Sequence, residues 1–135
     1  MGVKTTFLGG DAWDEIYKIS GKAVDGSYQS APWHLDVSFP KSLHIKKIYQ
    51  QKFHMEIENM SAPLAYDAFM VLVDAVKRSG TLNPVKIRDA IAETRGLQIA
   101  TGIISFDENG DPLDKEVIIL KLDKGKPVYH KAMKP

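Results

Sequence analysis

Hydrophobic and polar positions along the chain change period twice. Residues 3–8 form a short β-type run that ends at Gly9-Gly10. Trp13, Ile16, Tyr17 and Ile19 or Ser20 then recur at helical spacing, and Gly21 is a natural stop. Residues 24–31, "VDGSYQSA", predict a second strand, and Pro32 ends it. The aperiodic "WHLDVSFP" that follows is a connection. A helix after Pro40 places Leu43, Ile45, Ile48, Tyr49 and Phe53 at helical intervals, with Ser38 as its expected cap. Ser61 and Pro63 announce the strongest helix. In it Ala65, Ala68, Phe69, Leu72, Val73 and Val76 form one apolar stripe, expected to be buried, and Gly80 stops it. Asn83-Pro84 is an N-cap and first-turn pair. It opens a helix expected to bury Val85, Ile87, Ala90 and Ile91 and to close at Gly96.

From Thr101 the period falls to two. "TGIISF" and "EVIILKL" predict strands, with the hairpin signal Asn109-Gly110 between them. "DKGKP" is a second tight turn leading into "VYHKA". The pattern predicts an α/β protein, with strand-helix units followed by a C-terminal strand meander.

Composition narrows the chemistry. The 135 residues suit one domain, and the formal net charge of +1 argues against a nucleic-acid surface. The chain has no cysteine, which excludes disulfides, thiolate metal sites and cysteine nucleophiles. His34, His44 and His54 stand ten apart, about 280° of net helical rotation, and share no face. No metal or other cofactor is expected. "DENGDP" has strands rather than helices around it and contains Pro112, so a plain turn fits it better than a calcium loop. GxSxG, GxGxxG and Walker patterns are absent. No run approaches a membrane span, and "MGVKTTFLGG" has no apolar signal-peptide segment.

One short stretch asks for a ligand. In "FLGGDAWD" a carboxylate, Asp11, follows the carboxyl end of a strand, where open α/β sheets place ligands. On pattern alone Asp11 reads first as an N-cap accepting from the first helical turn, and second as a carboxylate for a ligand ammonium. Gly9 and Gly10 would let a ligand approach the backbone. Trp13 either walls the site or belongs to the core.

"GVKTTFLGGDAWD", "GKAVDGSYQSAPW", "SAPLAYDAFMVLVDAVKRSG", "NPVKIRDAIAETRG" and "TGIISFDENGDPLDKEVIILKLDKGKPVY" follow one another in order over essentially the whole chain. Together they resemble the C-terminal portion of periplasmic branched-chain amino-acid-binding proteins of ABC importers, the Leu/Ile/Val-binding type with the type I periplasmic binding fold. The resemblance implies a non-enzymatic receptor of two α/β lobes joined by three crossing strands, with the amino acid held between the lobes. It assigns residues 1–32 and about 114–135 to one lobe and about 36–113 to the other, with "SAPWHLDVSFP" as a hinge crossing.

It further implies that Asp11 binds the ligand's α-ammonium, at a position where the commonest branched-chain binders carry Glu. Gly10, Ala12 and Trp13 would flank that contact, and Ser61 and Ala62 would line the side-chain pocket. The hydroxyls and N–H groups for the ligand carboxylate would lie in an N-terminal part of the receptor beyond these residues. Other implied partners are an amino acid or small amide, bound weakly by this segment alone, and an ABC permease. The implied location of the parent protein is periplasmic, or extracellular and lipid-anchored. Apolar faces left open predict a homo-oligomer. Two other readings stand beside this one: a ligand-sensing domain of a signalling or amide-responsive regulatory protein of the same fold, and a flavodoxin-like phosphoacceptor with Asp11 as the phosphorylated carboxylate.

Overall fold

The computed structural model describes residues 5–10, 13, 15–113 and 115–134. The chain divides into two compact units. Met1–Asp36 and Glu116–Lys134 form the first, and Val37–Lys115 form the second. The polypeptide therefore leaves the first unit, builds the second and returns.

The first unit is a four-stranded sheet. Its strands are β1 (Leu8–Gly9), β2 (Tyr28–Ala31), β5 (Val117–Asp123) and β6 (Lys126–Met133), in the order β1-β2-β5-β6. β1 and β2 are parallel and the remaining pairs antiparallel. A parallel pair needs a crossover; helix α1 (Ile16–Ser20) and a 3-10 turn, Gly21–Val24, supply it. The predicted strand from Val24 is thus shorter than expected. Val24 is taken into the 3-10 turn, and only Tyr28 onward pairs with β1.

Ser27 locks the start of β2. Its buried hydroxyl accepts from Phe7 N at 3.0 Å, and its carbonyl accepts from Leu122 N at 2.8 Å. One sheet face buries Gln29, Ala31, Ile118, Leu120 and Leu122. The other carries Tyr28, Ser30, Ile119 and Lys121, half-buried or exposed, with the cross-strand pairs Tyr28–Lys121 and Ser30–Ile119. A bulge beside Ile119/Leu120 leaves His130 without a cross-strand partner, and its ring meets that of Tyr28 at 5.3 Å between centroids. The "DKGKP" turn joins β5 to β6 as expected, with Lys124 and Gly125 both at positive φ.

The second unit holds α2 (Pro40–Phe53), α3 (Ser61–Ser79), α4 (Pro84–Ala92) and a hairpin of β3 (Leu97–Ile99) and β4 (Gly102–Ile104). β3 was not expected; three residues after Gly96 are too few to establish a period. The "DENGDP" turn does not pair the strands around it. β4 pairs with β3, β5 pairs with β2 and β6, and only Phe106 and Pro112 bridge across the turn.

Val71, Ile99 and Ile104 form a core cluster of this unit, with Met70, Ile91, Leu97 and Phe106 against them. α4 begins as predicted: the Asn83 side chain accepts from Val85 N and Lys86 N. It buries Ala90, half-buries Ile87 and Ile91, exposes Val85, and ends at Ala92, before Gly96. α2 begins after Phe39 with no side-chain cap, so Ser38 does not cap it. α2 buries Ser42 and Ile45, whereas Leu43, Ile48 and Phe53 are exposed.

The clearest departure concerns α3. Its buried residues are Pro63, Asp67, Val71 and Ala75. The expected stripe faces the other way: Ala65, Ala68, Phe69 and Leu72 are exposed and Val73 and Val76 only half-buried. Burial is set by Asp67, whose carboxylate accepts from the backbone N–H groups of Ala100 and Thr101 at the β3–β4 turn. That anchor turns Asp67 and Val71 toward the hairpin, where Val71 packs with Ile99 and Ile104.

Candidate functional site

The carboxyl end of β1 leads into the candidate ligand turn. Asp11 and Ala12 lie outside the described residues. Their neighbours Gly9, Gly10 and Trp13 are described. Gly9 pairs with Gln29 across the parallel ladder. A Cβ added to Gly9 would stand within 2.7 Å of Cε2, Cδ2 and Cζ2 of the Trp13 indole. Gly9 is not among the glycines with positive φ, so its backbone conformation does not call for glycine. The indole does. Gly9 therefore does not leave its backbone open to a ligand; Trp13 occupies that side. Gly10 differs: it is exposed, and among the described residues nothing lies within 4 Å of an added Cβ.

Trp13 is half-buried, and its carbonyl accepts from Ile16 N at 3.0 Å as α1 begins. Gln29, Gly9 and Leu120 share a face through their register. Gln29 is 1% exposed, and its side-chain amide has no hydrogen-bond partner among the described residues.

Ser61 and Ala62 belong to the second unit, Gly10 and Trp13 to the first. Ser61 is the exposed first residue of α3, and its N–H donates to Asn59 Oδ1 at 2.9 Å; Ala62 is half-buried.

Two features were not legible as spacing. A hollow of about 410 Å³ lies on the open face of the first unit's sheet, lined among others by Leu8, Tyr28, Ser30, Ile119, His130 and Met133. These residues come from four strands far apart in sequence. The second is the cluster around Asp67. Lys115 donates to Thr101 Oγ1, and burial lowers its pKa while the neighbouring Asp67 opposes that shift. Among the described residues no group of three or more His, Cys, Asp or Glu could hold a metal ion, and no helix is long and apolar enough to cross a membrane.

Comparison with known proteins gives this geometry a context. Residues 1–127 match the family model described as periplasmic binding protein. A Leu/Ile/Val-binding protein homolog 1 of Brucella suis is 27% identical over 127 residues, covering 93% of this chain and 33% of that protein. The structure of a leucine-binding protein LivK from Thermotoga maritima superposes with a TM-score of 0.88 at 33% identity, covering 99% of this chain and 39% of that one. The branched-chain amino-acid transporter substrate-binding protein LivJ from Streptococcus pneumoniae, solved with isoleucine, gives a TM-score of 0.83 at 25% identity, over 100% and 39%. The chain spans about a third of the length of the curated relatives it matches. Its mixed α/β architecture is a partial segment of the type I periplasmic binding fold, and the chain belongs to the periplasmic binding protein family.

Proposed function

We propose that the chain is the non-catalytic, solute-recognising C-terminal portion of an ABC-importer receptor for a branched-chain or related amino acid. The observation that carries this reading is the agreement in shape with the Thermotoga maritima leucine-binding protein, 0.88 over 99% of this chain at 33% identity. The two units are then parts of the receptor's two lobes, and the chain passes between them at residues 36–37 and 115–116. In the first unit Asp11 takes the ligand's ammonium, beside the open backbone of Gly10. Ser61 and Ala62, in the second unit, face the ligand side chain.

The partner groups for the carboxylate come from the N-terminal part of the receptor, and a permease is the partner of the loaded form. The parent protein works in the periplasm, or outside the cell on a lipid anchor. Open surfaces support a missing partner. Parallel strand pairs are normally covered on both faces, yet Leu8 on β1 is 81% exposed. The α3 face with Ala65, Ala68, Phe69 and Leu72 is apolar and uncovered.

A chimaera tests this reading. This chain replaces the equivalent segment of the Thermotoga leucine-binding protein, and L-leucine binding is measured by calorimetry. The chimaera binds, Asp11→Ala abolishes binding with the fold intact, and the 135-residue chain alone binds weakly or undetectably. Unchanged affinity in Asp11→Ala, or submicromolar binding by the chain alone, overturns the proposal.

A further inference from the structure

We propose that Lys115 pins the return crossing between the two units: its ammonium ties the last residue of the second unit to Thr101, so that bending on that side is confined to the link between Lys115 and Glu116. The inference rests on the receptor reading above. It adds a positioning pair, Lys115 and Thr101, that acts on closure rather than on the ligand.

Three observations carry it. First, the division between the units falls between two consecutive residues, Lys115 and Glu116. The Lys115 ammonium donates to Thr101 Oγ1, inside the second unit. Glu116 Oε1 meets Lys134 Nζ at 3.6 Å, inside the first. Adjacent side chains thus hold to different units.

Second, the acceptor is itself fixed. Thr101 is 2% exposed, and the buried carboxylate of Asp67 accepts from its N–H. Lys115 is half-buried, and the Asp67 charge favours an ammonium there against the effect of burial. A half-buried lysine gives up part of its hydration, and a buried hydroxyl acceptor offsets that loss.

Third, the link is short. β5 begins at Val117, whose ladder partner is Met133. Glu116 alone stands between the Lys115 anchor and that ladder. The outgoing crossing is longer: residues 32–36 separate β2 from Val37. Val37 is bonded in its turn, since its carbonyl accepts from Lys46 Nζ at 2.8 Å and from Ser42 Oγ at 3.3 Å. Each crossing therefore meets the second unit at a lysine-bonded residue, and the return crossing has the shorter link.

Closure on a ligand costs the conformational freedom of the links that it orders. A link between two consecutive anchored residues has little freedom to lose. The ψ of Lys115 and the φ of Glu116 then take up the movement, as hinge dihedrals do.

The first test measures backbone amide order parameters in the full 135-residue chain, for wild type, Lys115→Met, Thr101→Val and the double variant. Lys115→Met keeps the apolar stem and removes the ammonium. Thr101→Val removes the hydroxyl and keeps the backbone N–H that Asp67 holds. In each, the order parameter at Lys115 falls from about 0.85 to below about 0.6. The double variant falls no further than either single one, since both remove the same bond. Thr101→Ser, which restores the acceptor, keeps the wild-type value. Amides of Val71 and Ile104 stay rigid throughout, which reports an intact second unit. An unchanged value at Lys115 in either single variant, or a further fall in the double variant, overturns the pin.

The second arm measures L-leucine affinity in the chimaera. Lys115→Met and Thr101→Val each weaken binding by about tenfold, the fold-change that matches loss of one hydrogen bond with a charged member. Thr101→Ser keeps the affinity. A mobile Lys115 with unaltered leucine affinity makes the bond a local contact and overturns its role in closure. An unsubstituted chimaera that does not bind leucine overturns the receptor reading and the closure role with it, and the order parameters then decide the pin alone.

Discussion

Asp67, 4% exposed on α3, accepts the backbone N–H of Thr101 at 3.0 Å. A second N–H, from Ala100, reaches the other carboxylate oxygen. One side chain thus satisfies both donors of the β3–β4 turn. Asp67→Ala leaves these two N–H groups buried without acceptors, and a cost of about 2–5 kcal/mol follows. Asp67→Asn retains one acceptor and costs less. Urea unfolding monitored by exchange at Ala100 and Thr101 measures both. Asp67→Ala also lowers the pKa of Lys115 further, because Asp67 is the group that opposes its desolvation.

The N-terminus of α4 depends on one amide oxygen. Asn83 Oδ1 accepts from Val85 N at 3.0 Å and Lys86 N at 3.3 Å. Asn83→Ala should cost about 1 kcal/mol and Asn83→Asp close to nothing. Thermal melts of the two variants, read with α4 amide protection, distinguish loss of the cap from a general effect.

Tyr17 should ionise well above the ordinary range for a phenol. Burial first, then Asp25 and Asp123, push its pKa from 10.0 to about 12, and its hydroxyl donates to Lys126 O at 3.3 Å. The sign follows from the raised value. The folded state keeps its proton after the unfolded state has lost it, so the contribution is intact below pH 10.0 and is lost between there and about 12. Ultraviolet titration of phenolate absorbance in wild type and Tyr17→Phe should show one late-titrating group disappear. Unfolding in the same pH range should lose its slope in the variant.

The outward face of α3 should drive self-association of the isolated chain. Phe69 is 63% and Leu72 43% exposed, beside Ala65 and Ala68. Size-exclusion chromatography with light scattering at low micromolar concentration should give a mass above 15.0 kDa that rises with concentration. Leu72→Glu, which leaves the buried residues of α3 unaltered, should bring it to the monomer value. A monomer at every concentration in wild type argues against an association surface.

Local signals carried much of the fold, and global ones did not. Asn83-Pro84 and Gly80 fix helix ends through bonds that close within a few residues, so the chain announces them. The face of α3 is different. Its apolar stripe is real, but periodicity names an apolar surface without naming what covers it. The rotation is chosen by Asp67 reaching residues 33 and 34 positions away. For the same reason "DENGDP", with the local marks of a hairpin, joins strands that pair elsewhere. At the candidate site, Asp11 stood out by charge and place. The work of Gly9 was hidden, because a glycine that makes room for a neighbour looks like a glycine that bends.

The discontinuous first unit has a consequence for the order of assembly. Residues 37–115 are contiguous, and every element of the second unit has emerged before β5 is made. β2 must wait for Leu120 and Lys121, roughly ninety positions later, before its antiparallel partner exists. Pairings so distant in sequence are slow to form. The second unit is therefore contiguous and complete in sequence before β5, whereas the sheet of the first unit can close only once β5 has been made.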